Sequence, residues 1–413
     1  MATLTRSEFL RLSAGASAAW WLARIEASAQ HDDRASRVAS IISEYDAQGL
    51  HRTATEVDLR SARWLADQAA RAGADARLDT FPVNRVDVRA AFVEAEGRRG
   101  EGLPLFDGGF TDAQGVTGRI GPPEHGFSIA LVVLNSAGIS SEGRSLDALR
   151  RSTTHRGIVA VTEGAHPGLS PSNAGGFAAP FGLPVLQVAT DDHLWLRDLT
   201  ARGLPLRFVA DAVRTPSDAA NVVATVPGRQ PDLAPLVVMT PRSGWYHCAS
   251  ERGGGLACWL EAIRAVSAAK LPRTMVAVAS SGHELGHYGL DRFLAARPGL
   301  VKRAAAWIHF GANIGAAGGT PRLQTSDDAI EAMAGEALAN AGVVVRQRVP
   351  RGTRPGGEAR NIHDGGGRYA SILGSGPFFH NIADRWPASV DVAAAAKFGD
   401  AFAALAVRLA QAG

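Results

Sequence analysis

The stretch that decides the fold is residues 236–280, LVVMTPRSGWYHCASERGGGLACWLEAIRAVSAAKLPRTMVAVAS. It begins with an apolar strand pattern at 236–240 and ends with a second at 274–279, and a helical repeat of apolar residues lies between them at 255–269. A strand, a helix and a strand in this order are typical of two parallel strands joined by a crossover helix. The stretch therefore predicts part of an α/β sheet.

The same alternation continues through the second half of the chain. Strand patterns recur at 221–226 and 304–310, and helical patterns recur at 288–296, 329–341 and 390–411. Continuous apolar strands are buried on both faces, so this alternation predicts a mostly parallel central sheet with helices on both faces. In such folds ligands bind beyond the carboxyl ends of the strands.

Residues 105–215 have a different character, because short β-like runs are separated there by loops rich in glycine, proline, serine and asparagine. The runs lie at 129–134, 157–161 and 183–188. They predict a smaller β-rich domain. Residues 31–104 and 216–413 then form the larger α/β domain on either side of it.

The composition limits the classes of partner. The 413 residues carry a net charge of +3 that is spread along the chain without a long basic run, which argues against a nucleic-acid partner. The two cysteines, Cys248 and Cys258, allow one disulfide at most, so the chain is not a disulfide scaffold. Cys258 falls inside an apolar helical pattern and is predicted to be a free buried thiol.

Residues 1–30 have the pattern of an export signal. A positively charged start precedes an alanine-rich apolar stretch at 12–23, and small residues at 27–29 precede a polar segment. The pattern resembles a twin-arginine signal in which Ser7 replaces one arginine, and it predicts a periplasmic or secreted protein. The alternative is an amphipathic helix at the start of a cytoplasmic protein. No other run of the sequence is long enough to span a membrane.

Three polar clusters lie at the ends of predicted strands or ahead of the last helix. They lie at 250–255, 281–287 and 379–384. The second contains the sequence His283-Glu284-Leu285-Gly286-His287, which has the His-Glu-x-x-His spacing of a helical zinc site. Gly282 and Gly286 disfavour the continuous helix that such a zinc site needs, so a different origin is favoured for this cluster.

Four segments resemble, in their order along the chain, segments of the two-zinc aminopeptidase family, which includes secreted aminopeptidases and glutamate-carboxypeptidase-like metallopeptidases. They are the strand at 221–228, the helix start Glu251–Glu261, the loop Gly282–Gly286, and His380 with Asp384. Members of this family often carry an inserted protease-associated domain, which residues 105–215 resemble. The resemblance implies an aminopeptidase-like catalytic domain at 216–413 and hydrolysis of an amide-type bond of a peptide or small molecule.

The sequence departs from this family at the metal ligands. The segment Thr240–Trp245 has no histidine where the family has its first zinc ligand, and residues 309–313 contain no carboxylate, so one zinc position is lost. Glu251, Glu284 and His380 match the ligands of the other position. The resemblance therefore implies one zinc ion held by these three residues, or no metal at all.

His283 stands where the family has the carboxylate that activates water. Three protein ligands with an open water position are usual for a catalytic zinc ion, and imidazole is a workable general base near neutral pH. The predicted catalytic residue is therefore His283. The predicted substrate-binding residues are Arg242, Arg252, His309 and Glu358.

Structural roles and other functions compete with these assignments. Glu251 suits a capping charge at the N-terminus of its helix, and Glu284 suits an ion pair with a nearby arginine. One competing function is a metal-free lyase, cyclase or transferase that uses His283 with Arg242 or Arg252 as the stabilising charge. The other is a binding protein without catalysis. For the enzyme hypotheses, the expected partner is a peptide or a small molecule.

Overall fold

The computed structural model describes residues 33–135 and 146–411. The predicted export signal at 1–30 lies outside the described residues. In the parts of the chain that the structure describes, no helix is both long enough and apolar enough to cross a membrane. Cys248 and Cys258 are buried free thiols, as predicted for the second of them.

The described elements agree closely with the predicted ones in the second half of the chain. The helices are α1 (33–47), α2 (Glu56–Arg71), α3 (146–150), α4 (His193–Arg202), α5 (Gly254–Ala269), α6 (Tyr288–Ala295), α7 (Leu300–Arg303), α8 (Asp328–Asn340), α9 (Ala359–Asp364) and α10 (Val392–Gln411). The strands are β1 (Asp75–Ala95), β2 (Arg98–Pro104), β3 (Val116–Gly121), β4 (Ile129–Asn135), β5 (Gly157–Glu163), β6 (Val185–Ala189), β7 (Pro205–Val226), β8 (Leu236–Pro241), β9 (Met275–Ser280), β10 (Ala306–Phe310), β11 (Thr320–Thr325), β12 (Gln347–Arg348) and β13 (Tyr369–Ser375).

The larger sheet has the parallel centre that the sequence predicts. Strands β9, β8, β10 and β13 lie side by side and parallel. Strand β7 pairs antiparallel with β9 at one side, β11 pairs antiparallel with β13 at the other, and β12 continues the sheet beyond β11. The fold class is therefore α/β, with parallel strands at the centre of the sheet and antiparallel strands towards its edges.

Each face of this sheet has its own apolar core, because alternate residues along a strand point to opposite faces. Val238 and Ala277 belong to the cluster that also contains residues of α2, α5, α8 and α10. Their neighbours Val237 and Val278 belong to the cluster that contains residues of α6 and α9. Helices therefore cover both faces, as the continuous apolar strands predicted.

Strands β1 and β7 are much longer than the others and run from the sheet into a second unit. They pair antiparallel over 75–94 and 207–225. In the second unit β1, β2, β6, β5, β4, β3 and β7 pair in that order and β7 pairs again with β1, which closes a strand ring. Val159, Leu186 and Phe208 lie in the apolar core of this strand ring. Strands β3 to β6 of this ring lie within residues 105–215, whereas β1 and β2 precede that stretch and β7 extends beyond it.

Candidate active site at the carboxyl edge of the central sheet

The predicted polar clusters meet at one edge of the sheet, because they follow β8, β9 and β13, which run in the same direction. Ser243 contacts the first two, since its carbonyl oxygen accepts from Arg252 Nε at 2.8 Å and its hydroxyl oxygen accepts the Gly282 N–H at 2.7 Å. After β10, the Asn313 N–H donates to the Glu251 carbonyl oxygen at 3.1 Å. The loops beyond these strands therefore form one continuous site.

The start of α5 places two charged side chains in this site. Residues Ala249–Gly253 form a π-helical turn ahead of the helix. The two carboxylate oxygens of Asp384 accept backbone N–H groups of this turn, from Ser250 at 2.8 Å and from Glu251 at 2.9 Å. N–H groups at the start of a helix lack intrahelical partners and favour a negative charge. The capping carboxylate is therefore Asp384, and the side chain of Glu251 is directed elsewhere.

Glu251 and Arg252 form a buried ion pair beside His380. Arg252 Nη2 lies 2.7 Å from Glu251 Oε1, and His380 Nε2 lies 3.4 Å from the same oxygen. Each of the three residues is 1 % exposed. Burial raises the pKa of the Glu251 carboxyl, but Arg252 and His380 outweigh this effect and hold that pKa well below its ordinary value. Glu251 is therefore a carboxylate, and Arg252 neutralises its charge.

Backbone carbonyl groups hold one further nitrogen of Arg252 and one of His380, whereas Arg252 Nη1 has no hydrogen-bond partner among the described residues. Arg252 Nε donates to the Ser243 carbonyl oxygen at 2.8 Å. The His380 Nδ1–H donates to the Pro171 carbonyl oxygen at 2.7 Å, which directs the opposite ring nitrogen, Nε2, towards Glu251. Both side chains are therefore fixed from two sides.

Glu284 is held by hydroxyl and amide groups. Its Oε1 accepts the Thr53 N–H at 2.8 Å and the Thr53 hydroxyl at 2.6 Å, and its Oε2 accepts the Ser243 hydroxyl at 2.6 Å. Burial raises the pKa of Glu284, although these hydrogen bonds oppose the rise. Its partners are thus Thr53 and Ser243 rather than the arginine that the structural alternative proposed.

These contacts do not fit the predicted zinc position at Glu251, Glu284 and His380. A zinc ion needs deprotonated ligands that converge on one point. Glu251 is paired with a guanidinium, and both oxygens of Glu284 accept hydrogen bonds from other groups. Within 33–135 and 146–411, no three side chains of histidine, cysteine, aspartate or glutamate form a group that could hold a metal ion. The three residues lie in one site, but as part of an ion-pair and hydrogen-bond network.

His283 and Glu358 form a second polar pair. The His283 Nδ1–H is directed at Glu358 Oε1 at 3.4 Å, and the Ser280 hydroxyl donates to the same oxygen at 2.5 Å. The His283 ring stacks on His287 with their centroids 4.8 Å apart. Burial, and then the charge of Arg252, lowers the pKa of His283 well below its ordinary value, so the ring is neutral at neutral pH. His283 is 7 % exposed, whereas Glu358 is fully buried.

His309 lies against the segment that carries Glu358. Gly357 has a left-handed φ of 60°, and a Cβ atom at this position would lie 3.2 Å from His309 Cε1. His309 Nδ1 lies 2.8 Å from the Ser371 hydroxyl. Burial lowers the pKa of His309 to about 4, although Glu358 opposes the shift. His309 is therefore a second neutral imidazole beside the pair of His283 and Glu358.

Arg242 is directed into the core. Its Nη1 lies 2.8 Å from Asp58 Oδ1, and its Nη2 donates to the Ala220 carbonyl oxygen at 2.8 Å. The side chains of Arg242 and Asp58 are both fully buried. This position gives Arg242 a structural role that its prediction as a substrate-binding residue did not include.

A segment of the strand ring covers the site. Residues 164–184, which connect β5 to β6 and are called the cover segment below, contact the larger domain. Besides the carbonyl that binds His380, the Ala174 N–H donates to the Glu284 carbonyl oxygen at 2.8 Å. The Asn381 side-chain amide donates to the Pro167 carbonyl oxygen at 3.0 Å. The cover segment therefore contributes to the burial of the site.

Backbone strain is concentrated around the same residues. Left-handed φ values occur next to the side chains of the site at Ala54, Cys248, His287, Asn313 and His380. Such conformations cost on the order of 1–3 kcal/mol each, and they persist where the surrounding structure holds them, often at functional sites. This concentration supports a functional role for the edge of the sheet.

Solved structures share the architecture. A zinc aminopeptidase from Bacillus subtilis matches with a TM-score of 0.73 at 16 % identity, over 90 % of this chain and 94 % of that chain. An aminopeptidase from Aneurinibacillus sp. strain AM-1 matches with a TM-score of 0.69 at 15 % identity, over 92 % of this chain and 94 % of that chain. A peptidase M28 precursor from Shewanella amazonensis SB2B matches with a TM-score of 0.69 at 15 % identity, over 92 % and 96 %. No protein-family model and no curated protein matches the sequence.

This protein has the zinc aminopeptidase fold. The resemblance drawn from four short segments is therefore confirmed for the fold. Within the zinc aminopeptidase fold, the residues that hold the site include four that were not predicted, namely Thr53, Ser243 and Ser280 through their hydroxyl groups and Pro171 through its backbone carbonyl. Ser243 follows the central strand β8 and Ser280 is the last residue of β9, so both could have been predicted from their position at the carboxyl edge of the sheet. Thr53 and Pro171 reach their partners across 231 and 209 residues, and no local pattern marks them.

Proposed function

We propose that this protein is a peptidase-like hydrolase that cleaves an amide-type bond of a peptide or small molecule, with His283 as the general base. The pair of His283 and Glu358 carries the proposal, because it combines a neutral imidazole with a carboxylate that orients it. His283 is also more exposed than the charged groups around it. The fold shared with an aminopeptidase and an M28 peptidase supports amide hydrolysis as the type of reaction.

In the proposed reaction, His283 Nε2 removes a proton from a water molecule while the water oxygen attacks the carbonyl carbon of the amide. Glu358 stabilises the imidazolium that forms, because the Nδ1–H is directed at its Oε1. The Arg252 guanidinium stabilises the negative oxygen of the tetrahedral intermediate. His283 then passes the proton to the leaving nitrogen, the C–N bond breaks, and a carboxylic acid and an amine are released.

We extend the proposal to the strand ring and to the N-terminus. The strand ring acts as a protease-associated-like domain, and its cover segment restricts the site to small molecules and short peptides. Three contacts between the cover segment and the larger domain support this restriction. The sequence pattern at 1–30 supports export to the periplasm or the medium.

The proposal is tested with aminoacyl amides that release a chromogenic amine, assayed with the full chain. His283→Gln should lower kcat by about 10²–10⁴-fold with a smaller change in KM, because it removes the proton acceptor but retains a polar side chain of similar size. Glu358→Gln should lower kcat less, since the imidazole remains. His125→Gln, at an exposed position of the strand ring, is the matched control and should keep wild-type kinetics.

Unchanged kcat in His283→Gln would contradict the assignment of the base. If the wild-type protein binds these amides in calorimetry without turning them over, the non-catalytic binding protein is favoured instead.

A further inference from the structure

We propose that Arg252 is the permanent cation of this site and that its guanidinium excludes zinc from the position between Glu251 and His380. The zinc aminopeptidase fold leads one to expect a metal at this edge of the sheet, and two of the three candidate ligands do lie together. His380 Nε2 and Arg252 Nη2 both contact Glu251 Oε1, at 3.4 Å and 2.7 Å. One oxygen of the carboxylate that would bind a metal is therefore already paired with a positive charge, while Glu251 Oε2 has no hydrogen-bond partner among the described residues.

Arg252 is held in place at two of its three guanidinium nitrogens, and Nη1 has no hydrogen-bond partner among the described residues. Its Nε donates to the Ser243 carbonyl oxygen at 2.8 Å, while Nη2 contacts Glu251. Its side chain is fully buried, and burial disfavours the charged form of any arginine. The guanidinium of arginine nevertheless stays charged in proteins, and here its Nη2 lies 2.7 Å from the Glu251 carboxylate. An arginine with these contacts cannot swing away to admit a metal without leaving its own charge buried and unpaired.

Zinc binding at this place would also require two like charges in a buried region. A Zn²⁺ ion on Glu251 would repel the guanidinium, and charges repel strongly where water is excluded. The third candidate ligand gives no compensation, because both oxygens of Glu284 accept hydrogen bonds from Thr53 and Ser243. Arg252 provides a positive charge at this position without a metal ion, so the site does not need zinc for that charge.

The test measures zinc content and not activity, so it does not depend on whether the protein is a hydrolase. The purified full chain is incubated with excess zinc chloride and desalted, and bound zinc is measured by inductively coupled plasma mass spectrometry. The wild-type protein should retain no stoichiometric zinc. Arg252→Asn, which removes the charge and shortens the side chain, should retain clearly more zinc than the wild type, because Glu251 and His380 could then bind the ion without a guanidinium between them.

Two further variants test whether the charge of Arg252 excludes zinc and whether His380 binds the zinc that Arg252→Asn admits. Arg252→Lys keeps a positive charge and should remain free of zinc. Arg252→Asn combined with His380→Gln should lose the zinc that the single variant gains, because one ligand is missing. Circular dichroism confirms that each variant is folded before its zinc content is compared.

The proposal is overturned if wild-type protein holds one zinc ion per chain that His380→Gln removes, a result that needs no Arg252 variant. It is equally overturned if Arg252→Asn is folded and still binds no zinc. Zinc uptake by Arg252→Lys to the same level as by Arg252→Asn would show that side-chain size, and not charge, excludes the metal.

Discussion

At the scale of single residues, Arg242 shows how a buried structural charge can resemble a ligand-binding group in a sequence. It follows a central strand, where the resemblance places a lost metal ligand. In the structure it lies 2.8 Å from Asp58 Oδ1, and the other oxygen of Asp58 accepts from the Ala54 N–H and the Ser281 hydroxyl at 2.9 Å each. The pair therefore ties α2 to the loops that follow β8 and β9.

Arg242→Ala is expected to destabilise the protein by about 3–5 kcal/mol, because it leaves Asp58 buried without its partner charge. Thermal unfolding followed by circular dichroism measures the change. The matched control is Arg202→Ala, since Arg202 is half exposed and pairs with Glu96 and Asp198 on the surface. Such surface pairs contribute about 0–1 kcal/mol. A wild-type melting temperature for Arg242→Ala with a raised KM would support the substrate-binding role instead.

The segments of the site are predictable from the sequence, but their contacts are not. Glu251, His283 and His380 could be placed near one another because parallel strands end at the same edge of a sheet. The orientation of Glu284 depends on Thr53, which lies 231 residues away. Hydrogen bonds over such distances leave no periodic pattern, so the ligand types alone suggested a zinc position that the partners of these residues do not fit.

At the scale of elements, the start of α5 depends on close contact between two backbones. A Cβ atom at Gly254 would lie 1.7 Å from the Ile314 carbonyl oxygen, which belongs to the loop after β10. The Asn313 N–H in the same loop donates to the Glu251 carbonyl oxygen. The glycine therefore lets the helix start approach this loop, which places Glu251 and Arg252 at the edge of the sheet.

Gly254→Ala should destabilise the protein, because its methyl group meets a backbone atom that cannot move aside as a side chain can. Overpacking of this kind costs about 1–3 kcal/mol, which exceeds the roughly 1 kcal/mol that alanine gains over glycine in a helix. The free energy of unfolding in urea measures the net effect.

Gly335→Ala in α8 is the matched control. Among the described residues outside the helix backbone, only the far end of the Arg348 side chain lies near that position, at 3.7 Å, so the helix preference should dominate and the variant should be slightly stabilised. Equal and positive effects of the two substitutions would contradict the close approach at Gly254.

The elements that the sequence predicts well are those whose apolar pattern is complete within one segment. From β8 to α10, the predicted helices and strands agree with the structure to within two residues where they were predicted. In contrast, the apolar pattern does not predict most of β1, which covers Asp75–Ala95. Much of β1 is polar and partly exposed, and its partner β7 lies more than a hundred residues away, so pairing rather than local pattern defines it.

At the scale of the whole molecule, burial keeps two histidines neutral in different parts of the larger domain. His51 stacks on Tyr45 with their centroids 3.7 Å apart, and burial lowers its pKa to about 3. His309 lies at the edge of the sheet, and burial lowers its pKa to about 4. The unfolded chain would protonate both rings near pH 6.5, whereas the folded protein would not. Between these pH values the unfolded state therefore binds more protons than the folded state.

Stability should consequently fall as the pH is lowered from 6.5 towards 4 and rise again as the pH is raised through the same range. Each pKa unit corresponds to about 1.4 kcal/mol, so His309 alone contributes on the order of 3 kcal/mol over this range. The free energy of unfolding in urea at about pH 7.5 and about pH 5 measures the difference. His309→Gln, which has no ring to protonate, should reduce this difference, whereas His125→Gln at an exposed position should leave it unchanged. An unaltered pH dependence in His309→Gln would mean that His309 does not stay neutral in the folded protein. The assignment of a neutral imidazole beside Glu358 would then be wrong.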